Sequence, residues 1–102
     1  MRFDWDPEKN LKNRKKHGIS FEDVVLVFSD RSAISIPDQE HSSTEDRWIT
    51  IGLIPYGKII VVVHTDQTEN EKGEISIRII SARKATKKET SQYHKMSEGD
   101  KL

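Results

Sequence analysis

A set of polar residues stands at the ends of apolar segments: Lys16, His17, Glu45, Arg47, His64, Arg78, Ser81, Arg83 and Tyr93. Side chains of these types can cleave RNA without a metal ion. A base removes the 2′-hydroxyl proton, cations stabilise the crowded phosphate, and an acid protonates the leaving oxygen. An imidazole titrates near about pH 6.5, which suits His17 to proton transfer, with Lys16 beside it. Arginine presents a planar fork of donors that matches a phosphate, which suits Arg78 and Arg83, with Arg47 assisting. Glu45 serves as a base or orients Arg47, and Tyr93 stacks on a base or donates a proton. Each position also has an ordinary structural reading. Glu45 and Arg47 can form a surface ion pair, His17 can interact with a helix C-terminus, and His64 can be hydrogen-bonded in the core. Ser81 can cap a strand end, and Tyr93 can pack at the domain edge.

Other chemistries lack their signatures. The four histidines show no HExxH spacing, there is no cysteine, and no glycine-rich loop precedes a helix. A Gly-x-Ser-x-Gly elbow is missing too. No metal site and no cofactor are expected.

The stretch that must position these groups is Glu74 to Thr86, EISIRIISARKAT. Ile75, Ile77 and Ile79 alternate with Ser76, Arg78 and Ile80, which predicts a half-buried strand with Arg78 on a wet face. The pattern then breaks at Ser81, Ala82, Arg83 and Lys84. Upstream, Phe3 and Trp5 alternate with acids in a short extended arm. Asp6-Pro7-Glu8 then starts a helix that runs to His17 and stops at Gly18. Leu11 is nearly its only apolar residue, and Asn10, Asn13, Arg14 and His17 make a polar stripe. That helix is either loosely docked or has a partner for its polar face. Ser20 caps a second helix to Phe28, with Phe21, Val24, Val25 and Phe28 as its core stripe. Strands follow at Ser32–Pro37, Arg47–Leu53 and Lys58–Thr65, the last buried on both faces. Thr86 and Glu89 form a capping box for a last helix to about Met96. The expectation is an α+β domain: a small antiparallel four-stranded sheet, two N-terminal helices and one C-terminal helix, with the helices on one face and the other face open.

A chain of 102 residues suits one domain, here residues 1–95, with a polar tail over 96–102. Hydrophobic and charged residues each make 33%, so the core is economical and the surface ionic. The net charge is zero, yet residues 1–18 carry six Lys/Arg against three Asp/Glu, and residues 78–95 carry six against one. These blocks bracket an acidic middle and can serve a polyanion if they meet in space. Their exposed members Arg14, Lys15, Lys84, Lys87 and Lys88, with Ser81, are the candidates to hold an RNA backbone. The N-terminal MRFDWDPEKN does not read as a signal peptide, and the longest apolar run, Ile59 to Val63, is too short to span a bilayer. A cytoplasmic location with no membrane partner follows as an expectation.

FDWDPEKNLKNRKKHGISFEDVVLVFSD, EDRWITIG, VVVHT, IRIISARKATKKE and Tyr93 together resemble the BrnT family in order and spacing. The segments N-x-x-K-H-G-x-x-F and R-I-I-S-A-R-x-A-T are specific in combination. The resemblance covers about Phe3 to Tyr93. It implies a RelE-like fold and a metal-independent endoribonuclease toxin of a type II toxin–antitoxin system. It also implies a hetero-oligomer with a BrnA-like antitoxin, which binds operator DNA through its own domain. The matching polar positions are Lys16, His17, Glu45, Arg47, Arg78, Ser81, Arg83 and Tyr93. Thr90 and Gln67 depart from the pattern, each where relatives carry a cation. A second reading is therefore a catalytically weak or inactive binding module, serving as antitoxin partner and co-repressor.

Overall fold

The computed structural model describes residues 1–41 and 46–99. Its frame is the long strand β6, Ile75–Lys84. The other strands are β1 (Arg2–Asp4), β2 (Ile34–Pro37), β3 (Arg47–Ile54), β4 (Lys58–Thr65) and β5 (Thr68–Glu69). The helices are α1 (Pro7–His17), α2 (Phe21–Val24) and α3 (Lys87–Gly99). The sheet has six strands in the order β1-β6-β4-β3-β2, with β5 also on β6. This corrects the four antiparallel strands expected. The extra two are β1, which pairs parallel to β6 (Phe3 opposite Ile77), and the two-residue β5.

β6 does not end at the break in its pattern. It carries a β-bulge there: Val63 pairs with Ser81 and His64 with Ile79, so Ile80 is the extra residue. Side chains alternate faces along a strand, so one inserted residue exchanges the faces beyond it. Ile77 and Ile79 are buried before the bulge, and Ala82 is buried on the same side after it. Arg78 and Arg83, five positions apart, would oppose one another on a regular strand. The bulge brings both to the other face.

α1 has the expected limits. Asp6 accepts from the Glu8 N–H at 2.9 Å, and Gly18, at φ 70°, closes the C-terminus through its N–H to the Arg14 carbonyl. Leu11 is exposed, and the helix docks through amides instead. Asn13 is buried; its Nδ2 donates to the Ile19 carbonyl at 3.0 Å and its Oδ1 accepts the Ala82 N–H at 3.1 Å. Asn10 Oδ1 accepts the Phe21 N–H at 2.8 Å, and Asn10 Nδ2 donates to Glu22 at 2.5 Å. The two asparagines of the polar stripe thus find their partners in the backbone and cap of their own domain.

The second expected helix splits. α2 is one turn, followed by a 3₁₀ segment, Val25–Ser29. A 3₁₀ turn repeats every three residues, so Phe21, Val24 and Val27 point inward together, and Val25 is only half-buried. These three pack with Ile19 on Ile54, Ile60, Val62, Ile77, Ile79 and Ala82. Gly52 permits the contact, because a Cβ there would lie 2.5 Å from Val27 Cγ2.

The helices are not confined to one face. α3 lies on the other side, where Tyr93 packs with Ile51 and Val61. It extends to Gly99, past the expected end at Met96, while residues 100–102 lie outside those described. No helix among the described residues is long and apolar enough to cross a membrane.

Candidate functional site

The face bearing Arg78 and Arg83, called the outer face here, is covered by α3 only in part. Register places its residues. Arg47 on β3 lies beside Thr65 on β4, and the Arg78 N–H donates to Thr65 Oγ1 at 3.0 Å. Arg78 pairs in turn with Asp4 on β1. Asp4, Arg78, Thr65 and Arg47 therefore form one row across four strands. Arg78 Nη1 donates to Asp4 Oδ1 at 3.1 Å, with the two side chains 51% and 54% exposed. An ion pair so open to water holds its arginine weakly. A cleft of about 360 Å³ beside it is lined by Asp46, Thr65, Asp66, Gln67, Thr68 and Arg78.

Arg83 has a different setting. It lies beside Val61, with exposed Ser81 beside Val63 between the two arginines. Its fork is filled: Nη1 and Nη2 donate to Glu89 Oε1 and Oε2 at 2.7 and 2.9 Å. Glu89 is itself fixed by the expected capping box, accepting the Thr86 N–H at 2.9 Å and donating its own N–H to Thr86 Oγ1. The hydrogen bonds from Arg83 hold the Glu89 carboxyl down to about 2, well below its ordinary value. The same pairing raises Arg83.

The three guanidinium groups share a face but not one hollow. Val61 and Thr65 are four residues apart on β4, so the Arg83 and Arg78 rows are about 13 Å apart at about 3.3 Å per residue. Arg78 and Arg83 therefore hold two separate positions on one face.

α1 runs beside β6 in the same direction, from Asp4 opposite Arg78 to Asn13 at Ala82. Its last turn therefore lies toward the Arg83 end. Arg14, Lys15, Lys16 and half-buried His17 stand there, with exposed Lys84, Lys87 and Lys88 following on β6 and α3. Both basic blocks therefore lie toward this end of the domain. Among the described residues the side chains of Lys16 and His17 form no hydrogen bond or ion pair, and nothing joins His17 to Arg47, Arg78 or Arg83. Glu45 lies outside the described residues.

Tyr93 is 6% exposed, which leaves no face for a base to stack on. Its hydroxyl donates to Asp30 Oδ2 at 2.7 Å. Burial and that bond push the Tyr93 phenol up to about 12. It anchors α3, and the stacking and proton-donating roles expected for it are corrected accordingly. Asp30 was not singled out by sequence reasoning, because Ser-Asp-Arg reads as a helix end. It also accepts the Leu53 N–H at 2.8 Å and the Ser32 N–H at 2.9 Å. Burial alone would raise this carboxyl, but the three donors outweigh it and hold it below its ordinary value.

His64 is a core residue on the helix-covered face. Nδ1 donates to the Thr65 carbonyl at 2.7 Å, so neutral Nε2 accepts the Thr50 hydroxyl at 2.6 Å, and Thr50 Oγ1 in turn lies 2.8 Å from Ser35 Oγ. Burial lowers its basicity. Among the described residues no three His, Asp or Glu side chains are placed to share a metal ion.

Comparison with known proteins agrees with this architecture. Residues 5–89 match the family model described as ribonuclease toxin, BrnT, of type II toxin–antitoxin system. The crystal structure of the Brucella abortus ribonuclease toxin BrnT superposes with a TM-score of 0.62 at 28% identity, covering 85% of this chain and 99% of that one. A search of curated proteins found no match. With the family model spanning most of the chain and a solved member sharing its fold, the chain belongs to the BrnT family of ribonuclease toxins of type II toxin–antitoxin systems.

Proposed function

We propose that this protein is a metal-independent endoribonuclease toxin whose RNA lies across the outer face of the sheet. The observation that carries the reading is the bulge at Ile80, which turns Arg78, Ser81 and Arg83 to the face that also bears Arg47. Arg78, assisted by Arg47, binds the reacting phosphate, and its loose pairing with Asp4 leaves it open to exchange. Arg83 contributes a second phosphate contact once an RNA oxyanion replaces Glu89. His17 with Lys16 supplies acid–base chemistry, and Glu45 is a base or orients Arg47. Arg14, Lys15, Lys84, Lys87 and Lys88 hold flanking backbone. The fold is RelE-like, and the protein acts in the cytoplasm. It is neutralised in a complex with a BrnA-like antitoxin, through which it reaches operator DNA.

Incubation of purified protein with RNA in EDTA tests the central claim. Cleavage is expected to persist, and the Arg78→Ala, Arg83→Ala double variant is expected to abolish both cleavage and growth arrest. Growth arrest that survives the double variant rejects these roles. The filled fork of Arg83 favours a second reading, a non-catalytic partner and co-repressor. Gln67 and Thr90, in place of cations, point the same way. Intact RNA with retained binding in the same assay selects it.

A further inference from the structure

The turn joining β3 to β4, Pro55–Gly57, holds an unusual aromatic. Tyr56 is the one non-glycine residue among those described with a left-handed backbone, φ 72°, and its side chain is 99% exposed. No packing within the chain offsets that strain, and strain of this kind tends to mark sites that use it.

Of the three clefts that border the turn, two share Lys58. One, of about 260 Å³, is lined by Asp23, Leu26, Ile54, Pro55, Tyr56 and Lys58. The other, of about 280 Å³, has Lys58 and Lys84 on its walls, with Thr90 and Ala85. Lys58 belongs to both. Neither lysine side chain has a hydrogen-bond or ion-pair partner among the described residues. The first cleft has an apolar floor, with Leu26 44% exposed, and a carboxylate wall at Asp23 that repels phosphate. The second offers two free cations. An apolar, aromatic slot beside paired lysines matches single-stranded nucleic acid, whose bases stack on rings while its phosphates track cations.

We infer that Tyr56 is a stacking platform for one unpaired base of an RNA strand whose adjoining phosphates rest on Lys58 and Lys84. Lys84 directly follows Arg83 on β6 and so turns to the opposite face, beside Ile60, which puts the platform around the end of the sheet from Arg83. This rests on the ribonuclease reading above and adds to it where the strand runs.

The test uses a labelled single-stranded oligoribonucleotide with 2′-O-methyl groups, which removes the attacking hydroxyl and lets binding be read without cleavage. Tyr56→Ala is expected to weaken binding about tenfold, and Tyr56→Phe to leave it near that of the parent. In Tyr56→Trp the new indole is expected to be quenched by the oligonucleotide, beyond any change seen from Trp5 and Trp48 in the parent. A duplex of the same sequence should not distinguish parent from Tyr56→Ala. Unchanged binding by Tyr56→Ala, with parental cleavage of ordinary RNA, overturns the platform and leaves the ribonuclease standing. A parent protein that neither binds nor cuts RNA overturns both. Tyr56→Ala that binds RNA normally but releases a co-expressed antitoxin assigns the ring to a protein partner and also overturns the inference.

Discussion

Arg78 and Arg83 sit on one strand and one face, yet the fold treats them differently. Arg78 meets a carboxylate from another strand through one nitrogen, in the open, with Asp46 and Asp66 on the neighbouring cleft. Arg83 meets a carboxylate from a helix through both nitrogens, and that carboxylate is already fixed by its own capping box. A preorganised partner loses little freedom on pairing, whereas two exposed side chains lose much and gain little. Charge counted along the sequence would rank the ends the other way, since Arg83 stands among lysines and Arg78 beside acids. Availability of an arginine therefore depends on how its partner is held, more than on how many charges surround it.

The largest test of this contrast is catalytic. Arg78→Ala is expected to lower RNA cleavage about a hundredfold or more without changing the melting temperature. Arg83→Ala is expected to lower cleavage less and to lower the melting temperature as well. Equal effects on both measurements would erase the distinction. Next comes the anchor of α3: Asp30→Ala removes the acceptor of three donors and should cost about 2–3 kcal/mol in urea unfolding. By loosening the helix that carries Glu89, it should disturb the Arg83 end and spare Arg78.

A smaller effect is expected of Glu89→Gln, about 1 kcal/mol near neutral pH after allowing for solvent screening. Its pH dependence is more telling. The Glu89 carboxyl titrates at about 2 in the fold against an ordinary 4.5, so its contribution is whole above pH 4.5 and drains away as pH falls toward 2. The urea midpoint of the parent should drop across that window more than that of Glu89→Gln. The smallest change is expected of Asp4→Asn, within about 0.5 kcal/mol, because the Arg78 pair is open to water.

Much of this was legible in residue types. Asp6, Pro7 and Gly18 bound α1, and the alternation of Arg47–Leu53 sorts β3 into its two faces. What escaped were long-range substitutions of one kind of bond for another. Asn10 and Asn13 read as a polar stripe whose partner stays open, because nothing local shows that Phe21 and Ala82 offer them bare N–H groups. The break at Ser81 read as a strand end, because an inserted residue and a terminus both interrupt a two-residue period. The parallel pairing of β1 joins segments some seventy positions apart, a closure that three residues cannot announce. Of the candidate site, the residue types were legible, but the Arg83–Glu89 closure and the burial of Tyr93 were not. Both depend on α3 crossing to the second face.

The two side chains that meet strand-edge N–H groups, Asn13 at Ala82 and Asp30 at Leu53, have a further consequence. Each occupies the place where a guest peptide would dock by backbone pairing. An extended segment approaching either margin must first evict an amide or a carboxylate that is already well bonded. At those two margins the molecule resists stacking into fibres and resists capture by strand addition. A binding protein must grip it there by side chains, not by borrowing its ladder.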